Sequence, residues 1–476
     1  MLYAILILAA LAVFFAVLLI RAALLRPPED GSDGARTPPA PDTGEVGRFQ
    51  KVLRLKTVWP REGKIEYEQF DAFLPLLREL YPTVFENTEL SVVNRYGVIL
   101  RWKGSDPDRE PVILMAHHDV VSAEDADWSS PPFDANIRDG KIYARGAVDT
   151  KCIITAVLEA ETRLMEEGFR PERDVYFITS NNEETGGDTT PAQVEWFRER
   201  NIKPDFVLDE GGAMIDELPL GIRHEFAMIG VSEKGVVDVK LTARGEAGHS
   251  STPCDKDSTF RLLDALNAIR SHPFKACLSP VTAEMLRKLG AHAPFGFRIV
   301  FANIPVFAPI IKKIMAKGGE TNAMIRTTTS LTQLSGSDTI NTIPTEAGAG
   351  FSVRVAAWNT TEEVEKRLRE LCGEHVTLGI PYRQEPSPCS DFRSEAYRLI
   401  ADTARKVYPG ADDAPYIMNG GTDSKHFTAI CDNVFRFCGF HFTSEERHGM
   451  HGVDEHLSVD SYLKGIEFYE RLLRSL

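Results

Sequence analysis

The sequence predicts an α/β protein: a sheet covered by helices, with a smaller α+β domain inserted in it. Three observations lead there. Apolar runs of strand length alternate with helical patterns from residue 112 to 208. Period-two alternation takes over at Gly230, with two strand-helix units. Sheet-like segments then return before a closing amphipathic helix. A length of 476 residues accommodates two or three domains of roughly 100 to 200 residues each.

In chain order, Leu2 to Ile20 is a run of 19 residues without a charged or strongly polar side chain. That is about the number needed to cross ~30 Å of hydrocarbon. A cleaved signal peptide carries a basic n-region and a shorter apolar stretch, whereas this run starts directly after Met1 and is followed by Arg21 and Arg26. Residues 1–26 therefore read as a transmembrane anchor or signal-anchor. Two Arg followed at once by Glu29 and Asp30 assign no side of the membrane. Residues 27–46, rich in Pro, Gly, Asp, Glu, Ser and Thr, read as a flexible linker.

The folded part is expected to begin near Gly47, with residues 47–229 as the first part of the larger domain, 230–380 as the insert and 381–476 as the second part. In the first part, VILMA (112–116), VYFIT (175–179) and FVL (206–208) are strands, and a helix runs from about Thr150 to Glu167. In the insert, VVDVKLTARG (236–245) and FSVRVAAW (351–358) precede helices at about 258–270 and 361–372. NVFRFCGF (433–440) and a helix from about Val459 to Leu473 complete the chain. The apolar FGFRIVFANIPVFAPIIKKIM (295–315) is expected to be core of an enlarged insert, with a groove for greasy substrates or a membrane-facing surface as the alternatives.

Composition excludes several classes. With 54 Lys plus Arg against 69 Asp plus Glu, a net charge of −15 repels a phosphate backbone, so no nucleic-acid partner is expected. Seven Cys without a C-x-x-C pair argue against a disulfide framework or a thiolate zinc site.

The chemistry concentrates in AHHDVV (116–121), GAVDTK (146–151), NNEETGG (181–187), LDEGG (208–212) and HGVDEH (451–456), near predicted strand ends. Together they suggest an imidazole-carboxylate site for zinc or a related divalent ion. In an extended chain His117 and Asp119 share a face while His118 points away, so Asp119 can accept from the ring nitrogen of His117 that binds no metal. His117 is the expected ligand and His118 a core residue. Gly186-Gly187 marks a loop in which Glu183 and Glu184 can face one cavity.

The order HHDVV, WSSPPF, DGKIYARGAVDTK, NNEETGG, LDEGG, GHSSTP, NTIPTEAGAGFSVR, GGTDS and MHGVDE resembles the co-catalytic di-zinc aminoacylase and carboxypeptidase superfamily of acetylornithine deacetylase and succinyl-diaminopimelate desuccinylase. LDEGG and TNAMIRTTTSLT resemble its carboxypeptidase S and N-acyl-amino-acid hydrolase branch. The resemblance covers roughly residues 50–470. It implies a zinc-peptidase-like catalytic domain, a mixed sheet sandwiched by helices, with an inserted α+β lid or dimerisation domain and a homodimer. It also implies two Zn2+ per subunit, with Mn2+ or Co2+ able to substitute.

Residue by residue, the resemblance implies His117 on one metal, Asp149 bridging both, Glu184 on one and Asp209 on the other, and His451 as the late His. Glu210 stands beside Asp209 as the alternative ligand. Glu183 would be the base that takes a proton from a metal-bound water and delivers it to the leaving amine. His249 of GHSSTP would donate to the oxyanion, often in the partner subunit's site. Asn341 and Arg354 would hold the substrate carboxylate and nearby groups, and Gly420-Gly421 would let backbone amides approach closely. Thr150, between Asp149 and Lys151, departs from the second Asp or the Met of many relatives. The expected activity is hydrolysis of an amide bond beside a free carboxylate, in N-acyl amino acids or at peptide C-termini. A dipeptidase, a small-metabolite deacetylase or an inactive membrane-anchored binding protein are the rivals.

Overall fold

The computed structural model describes residues 2–27, 42–60, 63–218, 222–253 and 257–476. Residues 28–41, most of the expected linker, lie outside the described residues. The larger sheet is mixed and nine-stranded. From one edge it runs Glu89–Val93, Gly97–Trp102, Val175–Ser180, Val112–His117, Phe206–Asp209, Val434–Arg436, Arg223–Glu233 and Asp412–Met418, with Met214–Glu217 added on Arg223–Glu233. Val112–His117 lies parallel to both neighbours, and all six of its residues are buried. A run of this kind, apolar on both faces, suits a central strand with helices above and below. The helix Lys151–Glu166 covers one face and packs against Val459–Arg474.

A second, antiparallel sheet orders Thr328–Ser335, Glu346–Val355, Gly235–Arg244 and Val376–Gln384. Alternate residues of Gly235–Arg244 are buried, as one-sided covering requires. The buried side is closed by the helices Ser258–Ser271 and Thr361–Cys372, giving a core of Leu241, Leu262, Ile269, Val353 and Leu368. The architecture is thus mixed α/β, with a smaller α+β unit beside the large sheet.

The 295–315 segment forms a core separate from that of the smaller sheet. Its helices Phe295–Ala302 and Ile304–Met315 join Pro280–Ala291 in a separate cluster with Phe226, Met228 and Ala414 of the larger sheet. An amphipathic helix needs an apolar surface to cover, and the edge strand Asp412–Met418 and its neighbour supply one.

The first helix, Leu2–Leu24, has 23 residues, and an 18-residue stretch of it reaches a mean hydropathy of 3.0. Residues 2–17 are exposed along their whole length, while Leu18, Ala22 and Leu25 are buried. The Asn303 side-chain amide donates to the Leu18 carbonyl at 3.1 Å, tying this helix to the bend between Phe295–Ala302 and Ile304–Met315.

Candidate metal centre

The charged side chains converge at the carboxyl ends of parallel strands, where open α/β sheets place their sites. His117 closes Val112–His117, Glu183 and Glu184 sit in the turn Glu183–Thr185 after Val175–Ser180, and Glu210 follows Phe206–Asp209. Asp149 precedes Lys151–Glu166, and His451 follows the short helix Ser444–Gly449 with φ at 59°. The Asp149 carboxylate lies between two imidazoles: His117 Nε2 is 2.9 Å from Oδ1 and His451 Nε2 is 2.8 Å from Oδ2. His117 Nε2 is also 3.2 Å from Glu210 Oε1, and His451 Nε2 is 3.2 Å from Glu184 Oε1.

His117, Asp149 and Glu184 form one group with potential ligand atoms within 4.8 Å of one another, and His117, Glu183 and Glu210 form a second. Two overlapping groups of imidazole nitrogen and carboxylate oxygen have the donor chemistry that zinc and similar ions take. The residues present therefore fit a metal centre.

In the adjacent acidic pair that the sequence leaves open, the two carboxylates have different partners. The Asp209 carboxylate faces away and accepts from Ser424 N at 2.9 Å, while Glu210 turns toward His117. Successive residues at a strand end point to opposite sides, so only one of an adjacent acidic pair can face the cluster. Asp209 instead steadies the 420–424 loop. That loop is held again by Glu233, whose carboxylate accepts from Thr422 N, Thr422 Oγ1 and Arg436 Nε.

Asp119 is completely buried, and its carboxylate accepts from Glu183 N at 3.2 Å and Glu184 N at 3.1 Å. Its Oδ1 lies 3.4 Å from His117 Nδ1, so one carboxylate fixes a ring and the adjacent turn. His118 points the other way, stacked on Phe73 with centroids 4.0 Å apart. Burial pushes its pKa well below the ordinary value, keeping it a neutral core residue. Thr150 earns its departure: its hydroxyl accepts from His117 N and donates to His117 O.

Burial and mutual repulsion dominate the electrostatics. Burial, then the nearby Asp149, push Glu210 up to about 8, and burial pushes Asp209 up to about 6. Burial also raises Glu183 well above the carboxylate range and raises Glu184. For Asp149 burial acts in the same direction, but hydrogen bonds from His117 and His451 outweigh it and hold the group low. The hydrogen bond to Asp149 helps lift His451 to about 10. Carboxylates crowded in this way gain from added positive charge.

The cluster opens into a cavity of about 1470 Å³, lined by Asp149, Glu183, Glu184, Glu210 and His451 at one end. Arg354, Gly420 and Gly421 also line it. His249 and Asn341 are not among its lining residues. They sit on and beside the ribbon formed by Gly248–His249 and Thr342–Ile343, where both are exposed and the Asn341 carbonyl accepts from Ser250 N. Within one chain these two expected substrate residues do not join the others.

Residues 113–475 match the family described as peptidase family M20/M25/M40. The chain belongs to this family. It is 30% identical over 438 residues to the probable carboxypeptidase S-like 2 of Dictyostelium discoideum, covering 90% of this chain and 84% of that protein. It is 31% identical over 431 residues to the N-fatty-acyl-amino acid synthase/hydrolase of Homo sapiens, covering 89% and 86%. In fold it is similar to an M20 family metallo-carboxypeptidase from Sulfolobus solfataricus, with a TM-score of 0.64 at 18% identity over 91% of this chain and 99% of that one.

Besides Glu233, two residues of this M20/M25/M40 chain carry roles that the sequence motifs do not assign. Glu455, fully buried, accepts from Arg145 Nη1 at 2.5 Å, Val148 N at 2.8 Å and, at 3.2 Å each, Gly146 N and Asp149 N. It thereby shapes the loop that presents Asp149. Its signal was its place in HGVDEH. Arg436, fully buried against Glu233, carried no motif at all.

Proposed function

We propose that this chain is a di-zinc hydrolase that cleaves an amide bond beside a free carboxylate, in N-acyl amino acids or at peptide C-termini. The observation that carries the reading is the convergence of His117, Asp149, Glu184, Glu210 and His451 around Glu183, in a cavity that also contains Arg354. The names of the relatives, carboxypeptidase S-like protein and N-fatty-acyl-amino acid synthase/hydrolase, support the same bond type. Bound there, zinc would supply Lewis acidity toward the scissile carbonyl and would make water a stronger nucleophile at neutral pH. His117, Asp149, Glu184, Glu210 and His451 are the side chains that would hold the metal. Asp119 holds His117 and the Glu183–Glu184 turn in place.

Glu183 is the general base and acid. It accepts a proton from the water as its oxygen bonds to the carbonyl carbon, then passes that proton to the amine nitrogen as the C–N bond breaks. Arg354 meets the substrate carboxylate with its planar fork, and the backbone at Gly420-Gly421 lies close to the bound chain. His249 and Asn341, exposed and off the cavity in one chain, complete the site of a second copy in a homodimer. Leu2–Leu24 anchors the protein in a membrane.

The apolar wall favours N-acyl amino acids with long acyl groups over dipeptides, since Met285, Leu289, Val300, Phe301 and Ile311 line the cavity. A panel of N-acyl amino acids and short peptides, with metal content measured alongside, tests the reading. Glu183→Gln is expected to lower kcat by about 10² to 10⁴ with metal retained, the usual contribution of a general base. Full activity in that variant, or turnover without bound metal, overturns the mechanism. Mixed His249→Ala and Glu183→Ala dimers should recover activity that neither parent shows.

A further inference from the structure

We propose that the helices Phe295–Ala302 and Ile304–Met315 lie in the surface layer of the bilayer and open the catalytic cavity to it, so that acyl-bearing substrates enter from the lipid. The proposal rests on the amide-hydrolase reading for its substrate and on the anchor reading of Leu2–Leu24 for its orientation.

The two helices are each apolar and meet at a bend of 111°. Their outward side exposes Phe295 at 49%, Val306 at 44%, Ile310 at 54% and Ile314 at 53%. Large aliphatic and aromatic side chains exposed in this number on neighbouring helices are costly in water and mark a contact surface. Lys312 and Lys313 stand in the last turn of the same hairpin, and Lys317 follows. In a chain with a net charge of −15, that local basic group suits the phosphates of lipid headgroups.

The first helix supplies the depth. Leu18, Ala22 and Leu25 are buried, and Asn303, at the hairpin bend, binds the Leu18 carbonyl. The sixteen residues from Leu2 to Val17 extend away, exposed throughout. At 1.5 Å per residue they reach about 24 Å, most of a ~30 Å hydrocarbon layer. When that stretch spans the bilayer, Leu18 and the hairpin packed on it fall at its boundary.

The same hairpin forms part of the cavity wall. Phe297, Ile310 and Ile314 are both exposed and in the cavity lining, so they form its rim. The carboxylate cluster and Arg354 line other parts of that cavity. An acyl chain can therefore pass from lipid to the apolar wall without crossing water, while its amino-acid head reaches the charged floor.

The test uses the full chain in mixed phosphatidylcholine and phosphatidylglycerol vesicles. A polarity-sensitive fluorophore is attached at Val306→Cys or at Val92→Cys, with Cys254, Cys277 and Cys389 changed to Ser. Val92 is exposed on the opposite edge strand of the larger sheet. Lipids carrying a shallow nitroxide should quench the probe at 306 and leave the probe at 92 bright. Equal quenching at both, quenching at neither, or crosslinking of two copies through position 306 overturns the proposal. So does a mature chain lacking Leu2–Leu24.

In a second arm, the Phe295→Asp/Val306→Asp variant, altered at two residues outside the cavity lining, meets two substrates. Its kcat/KM for a long-chain N-acyl amino acid held in vesicles should fall about tenfold or more, because charge at the apolar boundary is strongly disfavoured. Turnover of a water-soluble N-acetyl amino acid should stay at the parent rate. Equal loss on both substrates, or loss on neither, overturns membrane delivery. If the parent hydrolyses neither substrate, the hydrolase reading fails, and the quenching arm alone decides whether the hairpin meets lipid.

Discussion

The two ends of the cavity are built by different rules. At the charged end the loops are fixed by buried carboxylates: Asp119 holds the Glu183–Glu184 turn, Glu455 holds the Asp149 loop, and Asp209 with Glu233 holds the 420–424 loop. At the apolar end, Phe301, Ile311 and Met315 are held by packing alone. Buried charge demands directional partners, because an unpaired one costs several kcal/mol, whereas apolar contact is cheap to rearrange. Changes at the charged end should therefore harm every substrate alike. Changes at the other end should grade with acyl length.

Among the residues that hold reactive groups in place, the largest expected effect is at Glu455. Glu455→Gln leaves the buried Arg145 without its carboxylate, a loss of about 3 to 5 kcal/mol for a broken buried pair. Activity should fall about 100-fold on short and long substrates together, with reduced Tm and bound metal. A loss confined to long acyl chains would break the comparison. Next, Glu210→Gln should weaken metal binding by at least about tenfold, while Asp209→Asn should keep metal and raise KM through the loosened 420–424 loop. Metal content and KM for the pair separate the adjacent residues. Equal metal loss in both would restore Asp209 as a ligand.

A third test probes a buried carboxylate outside the charged end. Glu161, on Lys151–Glu166, is buried, and its Oε2 has no hydrogen-bond partner among the described residues. Burial pushes its pKa up to about 8 from an ordinary 4.5. The folded state thus holds a proton that the unfolded state releases between pH 4.5 and 8, so stability falls as pH rises through that window. Glu161→Gln should remove this dependence and raise stability above pH 8 by about 1 to 3 kcal/mol, with kcat unchanged. Urea midpoints at pH 5 and 9 read the difference; parallel curves for parent and variant would overturn it.

What was legible in the sequence follows the same division. His117 and the Glu183-Glu184 pair stood at predicted strand ends, where short-range geometry was enough to bring them forward as candidates, whereas the role of Asp149 rested on the family resemblance. Asp209 against Glu210 turned on one residue of strand register, which spacing does not resolve. Glu455 and Glu233 act on loops roughly 190 to 310 positions away, a relation that only the folded topology reveals. For 295–315, the pattern showed which residues were apolar. It did not show which sheet they would cover.

The smallest effect sharpens the apolar end. An added Cβ at Gly290 would lie 2.4 Å from Phe301 Cβ, so Pro280–Ala291 and Phe295–Ala302 are seated too closely for a side chain there. Gly290→Ala must push the second helix away and move Phe301, which lines the cavity. In the parent, kcat/KM should rise with acyl length by up to about fourfold per methylene, the worth of ~0.8 kcal/mol of burial. The variant should lose about one such step on long chains and nothing on an acetyl group. A uniform loss at every length would mean that the displacement reaches Glu183 and its neighbours, and that the two ends of the cavity are mechanically one.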